Sequence, residues 1–411
     1  MRVLGIIAEY NPFHNGHLYH IQKAKALSGC DYVIVVMSGQ FVQRGEPAVV
    51  HKFARAKAAL LHGADLVLEL PYAFATASAA YFALGAATLL DATGLVDTLA
   101  FGSESGDLTP LRQAARILTD EPALYKAELR RHLDKGLAFP AARAQALTQV
   151  APDAGACAGE PNNILGIAYL TALEQLKSPI RPLTLARVGS HYHEEYLAGE
   201  VSSATAIRKA LRDNSPAWAE ALAEIRPAFP AASFETFAEA VNLGLAPVFT
   251  DGFSDAFHYA LRRQTAAQLG QYADVNEGLE NRLIDAANHC YRLTDIARCV
   301  KTKRYTHTAV QRAMLHVLLG LTKDDFNAAR IAYIRVLGFQ RGSARLLAEL
   351  QTKAKLPVIV NLKKDEAALP LSLQAALQSE LRVSDLYYLA TPSKKNTPPI
   401  GQEYREPIIV V

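Results

Sequence analysis

Tryptophan occurs once, methionine three times and cysteine four times in 411 residues. The cysteines, Cys30, Cys157, Cys290 and Cys299, contain no C-x-x-C pair and no zinc-type spacing, which fits reduced thiols in a cytoplasmic protein. An excess of one charge sign is missing too. Lys and Arg number 43 against 40 Asp and Glu, so the net charge of +3 neither demands nor forbids a nucleic-acid partner. A strongly apolar run is also absent. Pro71 to Leu90 carries no charge, but it is rich in Ala, Thr and Ser, so it reads as a buried helix packed through small residues rather than a membrane span. No secretory segment opens the chain, because Met1-Arg2 leads straight into the short apolar run Val3–Ile7. Half the residues are apolar and a fifth are charged, which excludes a disordered or collagen-like chain. The length suggests two or three domains.

The first hundred residues alternate short apolar runs with amphipathic stretches. Strands are expected at Leu4–Ala8, Tyr32–Met37, Leu66–Leu70 and Leu99–Gly102, with helices through Leu18–Leu27, Phe53–Leu61 and the small-residue stretch between them. That order predicts an α/β fold with a doubly wound parallel sheet, whose ligands bind beyond the carboxyl ends of the strands. Residues 107–180 read as a helical insert. The Pro-containing stretch 216–234 is a candidate junction, which divides the chain into 1–226 and a mainly helical 227–411 with short strands at 358–360 and 408–411.

Two motifs carry chemistry. Asn11-Pro12-Phe13-His14-Asn15-Gly16-His17 follows the first strand directly, and composition alone would produce H-x-G-H roughly 0.02 times in such a chain. Unpaired N–H groups at the start of the following helix attract phosphate, Gly16 permits close approach, and His14 and His17 share one helical face. Both rings can donate to an α-phosphate as pyrophosphate leaves; capping of the helix is their other reading. The second motif, Ser202-Ser203-Ala204-Thr205-Ala206-Ile207-Arg208, is an N-capped helix start with an Arg one turn in. It is suited to a β- or γ-phosphate, or is an ordinary capped surface helix.

Together the two motifs resemble the nucleotidylyltransferase superfamily, whose second motif reads I-S-S-T-x-I-R; Ala204 stands here in place of the second Ser. Longer blocks are similar to the bacterial tRNA(Met) cytidine acetate ligases: 7–17, 37–47, 101–104, 161–166, 187–193 and 303–306. The resemblance implies a HIGH-motif α/β domain that forms acetyl-adenylate from acetate and ATP, then acetylates N4 of the wobble cytidine of elongator tRNA(Met). It implies catalytic roles for His14, His17 and Arg208. It implies an ATP cradle of Ile7, Ala8, Glu9, Tyr10, Asn11, Pro12, Phe13, His14, Asn15, Gly16, His17, Leu18, Tyr19 and His20, completed by Gly102, Asn162, Asn163, Arg187, Val188, Ser203 and Thr205. Asn162 and Asn163 also suit a turn or helix cap, Arg187 a surface ion pair, and the loop residues Arg44 and Glu46 a solvated ion pair.

The segment 301–312 holds four cations and no acid. Lys301, Lys303, Arg304 and Arg312 would meet phosphates while Tyr305 stacks on a base, although a solvated helix start looks similar. Lys353, Lys355, Lys363, Lys364, Lys394 and Lys395 would extend this patch if they folded onto one face. His191 and His193 lack a recognised ligand spacing, so no dedicated metal is expected. Magnesium would arrive on the ATP phosphates. The competing readings are an adenylyltransferase acting on a small phosphorylated acceptor and a non-catalytic RNA-binding protein.

Overall fold

The computed structural model describes residues 1–186, 197, 199, 202–303 and 305–411. Arg187, Val188, His191, His193 and Arg304 lie outside the described residues.

The described residues form ten short strands: β1 (Val3–Ala8), β2 (Tyr32–Ser38), β3 (Phe41–Val42), β4 (Glu46–Pro47), β5 (Leu66–Leu70), β6 (Thr98–Ser103), β7 (Arg181–Ala186), β8 (Ile334–Phe339), β9 (Val358–Ile359) and β10 (Ile409–Val410). One sheet runs β10-β8-β5-β2-β1-β6-β7 with β9 also on β8, while β3 and β4 make a separate hairpin. From β5 to β7 every pairing is parallel, with Ala8 level with Met37 and Ile34 level with Leu66. The expected doubly wound parallel sheet is therefore present. Its order reverses at β1, which has β2 on one side and β6 on the other. The loops after β1 and β6 thus part at the carboxyl edge and leave a crevice.

Alternation explains why these strands are buried on both faces. Leu4, Ile6, Val33, Val35 and Met37 pack with Ile21 and Ala24 of helix Asn15–Ser28 and with Phe53 and Ala56 of helix Lys52–Leu61. Val3, Ile34, Val36, Leu66 and Leu68 face the opposite layer, formed by helices Ala79–Ala92, Leu108–Asp120 and Pro161–Gln175. The uncharged stretch 71–90 belongs to that layer. A side chain at Gly85 would come within 2.5 Å of the Phe74 ring, so the small residues there serve close packing. No described helix is long and apolar enough to cross a membrane.

The sheet does not respect the boundary anticipated at 226/227. Strands β8, β9 and β10 come from the far end of the chain, and β8 pairs antiparallel with β5. Helices Ser254–Arg262, Leu279–His289, Leu293–Val300 and His307–Leu319, with the end of Leu371–Tyr387, close a second core, in which Phe257, Leu283, Ile296, Val310 and Tyr387 are buried. Phe41 of the β3–β4 hairpin reaches into that core, so the hairpin joins the two layers.

Candidate active site

His14 ends the loop after β1 as the N-cap of helix Asn15–Ser28. Its Nδ1 accepts the Gly16 amide at 3.1 Å, and the His14 amide donates to His17 Nδ1 at 3.3 Å. This is a capping box made of two histidines, with ring centroids 3.8 Å apart. Because each Nδ1 accepts from backbone, each neutral ring carries its proton on Nε2. The capping and donor readings of these residues are therefore compatible: capping fixes the tautomer that donates.

Most of the turn is scaffold. Tyr10 adopts φ 49° and packs edge-on against Phe13 and His17, at 4.8 and 4.9 Å. Asn11 Oδ1 accepts the Val49 amide at 2.7 Å, and the Phe13 carbonyl accepts Ser233 Oγ at 3.1 Å. Asn15 Nδ2 donates to the Pro227 carbonyl at 2.9 Å. Pro12 is buried behind a cis bond, Ile7 and Ala8 close β1, Leu18 packs toward the sheet, and Tyr19 points out, with His20 partly buried beside it. Gly16 is exposed at the helix start, where an added Cβ would meet the His14 ring at 2.9 Å.

Helix Ala204–Asp213 closes the opposite wall. Ser203 Oγ is committed to the Ala206 amide at 3.0 Å, so its hydroxyl caps this helix, as the alternative reading had it. Thr205 sits partly exposed in the first turn. Arg208 Nη1 donates to the Asn11 carbonyl at 2.8 Å, which brings this guanidinium onto the histidine turn from 197 residues away. Gly102 is the next-to-last residue of β6, on the far side of the crevice. Asn162 and Asn163 begin helix Pro161–Gln175, where Glu104 caps them. Its oxygens take the Asn162 Nδ2 at 2.7 Å and the Asn163 amide at 2.9 Å, while Asn163 Oδ1 accepts the Glu104 amide at 3.1 Å. Glu104 is thus the cap of this helix start, and both Asn side chains bond to it.

Two neighbours were not legible from sequence. Arg55, fully buried, donates to the carbonyls of Glu9, Ser38, Gly39 and Val50, which clamps the loops after β1 and β2 together. Burial pulls its guanidinium down to about 10, with Tyr387, Glu9 and Glu69 opposing. Its helix also carries Lys52 and Lys57, so nothing in the local pattern sets Arg55 apart. The second is the hairpin residue Gln43, whose amide donates to Glu9 Oε1 at 2.9 Å.

The basic segment lies against the hairpin's other side. Gly45 has φ +77°, and a Cβ there would lie 2.5 Å from the Arg312 amide nitrogen; Gln311 Nε2 donates to Glu46 Oε1 at 2.9 Å. Glu46 is thus bonded across the interface rather than solvated. Arg312 is largely buried and paired with Asp274 at 3.0 Å, and the Tyr305 hydroxyl donates to the Glu277 carbonyl at 2.7 Å. Lys301 and Lys303 are exposed. Lys353 and Lys355 are elsewhere: they pair with Glu349 and Asp91, and the Lys355 amide meets Ala92 at the amino-terminal edge of the sheet.

A parallel sheet with a paired-histidine turn at its reversal point and an Arg fork opposite defines a nucleotide-handling α/β protein of the nucleotidylyl-transfer type. The family profile described as HIGH Nucleotidyl Transferase matches residues 1–400. The tRNA(Met) cytidine acetate ligase of Acetivibrio thermocellus is 41% identical over 100% of both chains, and that of Halothermothrix orenii is 38% identical over 95% of this chain and 96% of its own. Crystal structures of Thermotoga maritima TmcAL, apo and bound with alpha-thio ATP, superpose with TM-scores of 0.93 and 0.92 at 36% identity over all of both chains. The chain belongs to the HIGH nucleotidyl transferases and, among them, to the tRNA(Met) cytidine acetate ligases.

Proposed function

We propose that this protein activates acetate with ATP as acetyl-adenylate and transfers the acetyl group to N4 of the wobble cytidine of elongator tRNA(Met). The carrying observation is the pair of Nδ1-capped histidine rings, 3.8 Å apart, with Arg208 fixed on the same turn. An acetate oxygen attacks the α-phosphorus and pyrophosphate leaves, so no protein nucleophile is needed. The work is to neutralise charge. The two Nε2–H groups face the α-phosphate as its charge rises, and Arg208 takes the departing phosphates. Magnesium would arrive on the nucleotide's own phosphates.

Lys301 and Lys303 supply phosphate contacts for the RNA, with Tyr305 beside them, and the hairpin puts this surface next to the cradle. The test is incubation with ATP, acetate and tRNA, followed by nucleoside mass analysis. Acetate-dependent pyrophosphate release together with N4-acetylcytidine supports the ligase. AMP joined to a small phosphorylated acceptor, without acetate dependence, supports an adenylyltransferase instead.

A further inference from the structure

Glu9 leaves the sheet one residue after β1 and turns its carboxylate toward the β3–β4 hairpin. Oε1 accepts the Gln43 amide at 2.9 Å, whereas Oε2 makes no hydrogen bond among the described residues. The backbone behind it is fixed, because Arg55 Nη1 donates to the Glu9 carbonyl at 2.6 Å. One oxygen pinned by an amide and one open is the arrangement a proton acceptor needs. Its place is equally specific. Ahead lies the histidine turn, and behind the hairpin lies helix His307–Leu319 with the basic segment leading into it. Among the described residues, the nearby acids Glu46 and Glu104 are engaged, Glu46 with Gln311 and Glu104 with the start of helix Pro161–Gln175.

We propose that Glu9 Oε2 takes the proton from the cytidine exocyclic amine during acetyl transfer, a role that rests on the ligase reading above. The amine nitrogen adds to the acetyl carbonyl carbon, the bond from that carbon to the phosphate oxygen breaks, and AMP leaves with the electron pair. The amine proton passes to Glu9 and then to water, so no further reactant is required. Among the described residues, the groups acting on this carboxylate are the Gln43 amide, Arg44, Arg208, Glu46 and Arg55. Burial raises its proton affinity above that of an ordinary carboxylate, more than the amide, Arg44 and Arg208 lower it, which makes it a stronger base than a solvated one.

The test supplies preformed acetyl-adenylate and tRNA in a single turnover and follows N4-acetylcytidine from about pH 5 to about pH 9. The wild-type rate is expected to rise through one ionisation above the ordinary carboxylate range. Glu9→Gln is expected to be about 100-fold slower or more and to lose that ionisation. Glu9→Asp recovers part of both. A wild-type rate that is flat with pH, a Glu9→Gln rate within about threefold of wild type, or a Glu9→Gln profile with the ionisation intact overturns the role. The wild-type profile and Glu9→Asp decide the matter even where Glu9→Gln does not fold. No transfer by the wild-type protein overturns the ligase reading and this role with it, whereas transfer matched by Glu9→Gln overturns the role alone.

Discussion

Two charged clusters sit at the carboxyl edge of the same sheet, and they dispose of their charge in opposite ways. In the first, Lys52 Nζ lies 2.5 Å from both Glu69 and Glu403, and Arg335 bridges the same two carboxylates. All four side chains are at most 7% exposed, and two cations balance two anions. This cluster is closed, and it ties the chain's last strands to β5. In the second, His14, His17, Arg208 and Glu9 are each anchored through backbone groups, by a ring Nδ1, the Asn11 carbonyl or the Gln43 amide. Anchoring to neutral backbone fixes where these side chains sit, whereas the side chains of the first cluster are fixed by one another's charge. The pairing partner, more than the residue type, separates a charge that holds the fold from one proposed to handle substrate.

The sharpest way to break this contrast is Arg335→Met, which leaves Glu69 and Glu403 with Lys52 alone. Removing one side of a buried pair should cost about 3–5 kcal/mol, read by urea unfolding. A loss below about 1 kcal/mol would mean that the cluster is not closed. Glu380 probes the same cluster through pH. Burial and the nearby Glu69 charge push its carboxyl up to about 8 from 4.5. A raised folded-state value gives stability that is complete below pH 4.5 and is lost as pH rises through about 8. Glu380→Gln should remove that decline, on the order of a few kcal/mol, in unfolding midpoints compared across the window. At the second cluster the effect moves from stability to rate. His17→Ala should slow acetate-dependent pyrophosphate release about 100- to 1,000-fold while costing only about 1 kcal/mol of stability through the lost cap. Equal losses of rate and fold would erase the distinction.

The same contrast explains what the sequence made legible. Strands β1, β2, β5 and β6 announce themselves as apolar runs, and the histidine turn follows from a local spacing at a strand end. Strand β7 at 181–186 and β8 at 334–339 went unread, since Arg181 and Pro182 break the first run and Arg335 interrupts the second. Arg335 is there because Glu69 and Glu403 meet it, a tertiary fact no local pattern contains. The reach of Arg208 to Asn11 and the docking of Gly45 on Arg312 are long-range in the same way. Short-range motifs named the chemistry. Long-range contacts decided which of the named groups are already spent, as Arg312 is on Asp274 and Asn163 on Glu104.

The smallest expected effect is at the surface proposed to meet RNA, where the sequence pooled lysines that the fold separates. Lys301 and Lys303 are exposed beside the hairpin, while Lys353 and Lys355 are ion-paired, and the Lys355 amide meets Ala92 across the sheet from the cradle. Each phosphate contact releases about 0.7 of a counterion from single-stranded RNA, so affinity should fall as salt rises with a slope set by the number of contacts. Lys301→Ala and Lys303→Ala should each weaken tRNA binding several-fold, about 1 kcal/mol, and flatten the salt slope by about 0.7. Lys353→Ala with Lys355→Ala should leave both quantities unchanged. Equal effects from the two pairs, in filter binding across a salt series, would place the RNA over both edges of the sheet and return the lysines to a single patch.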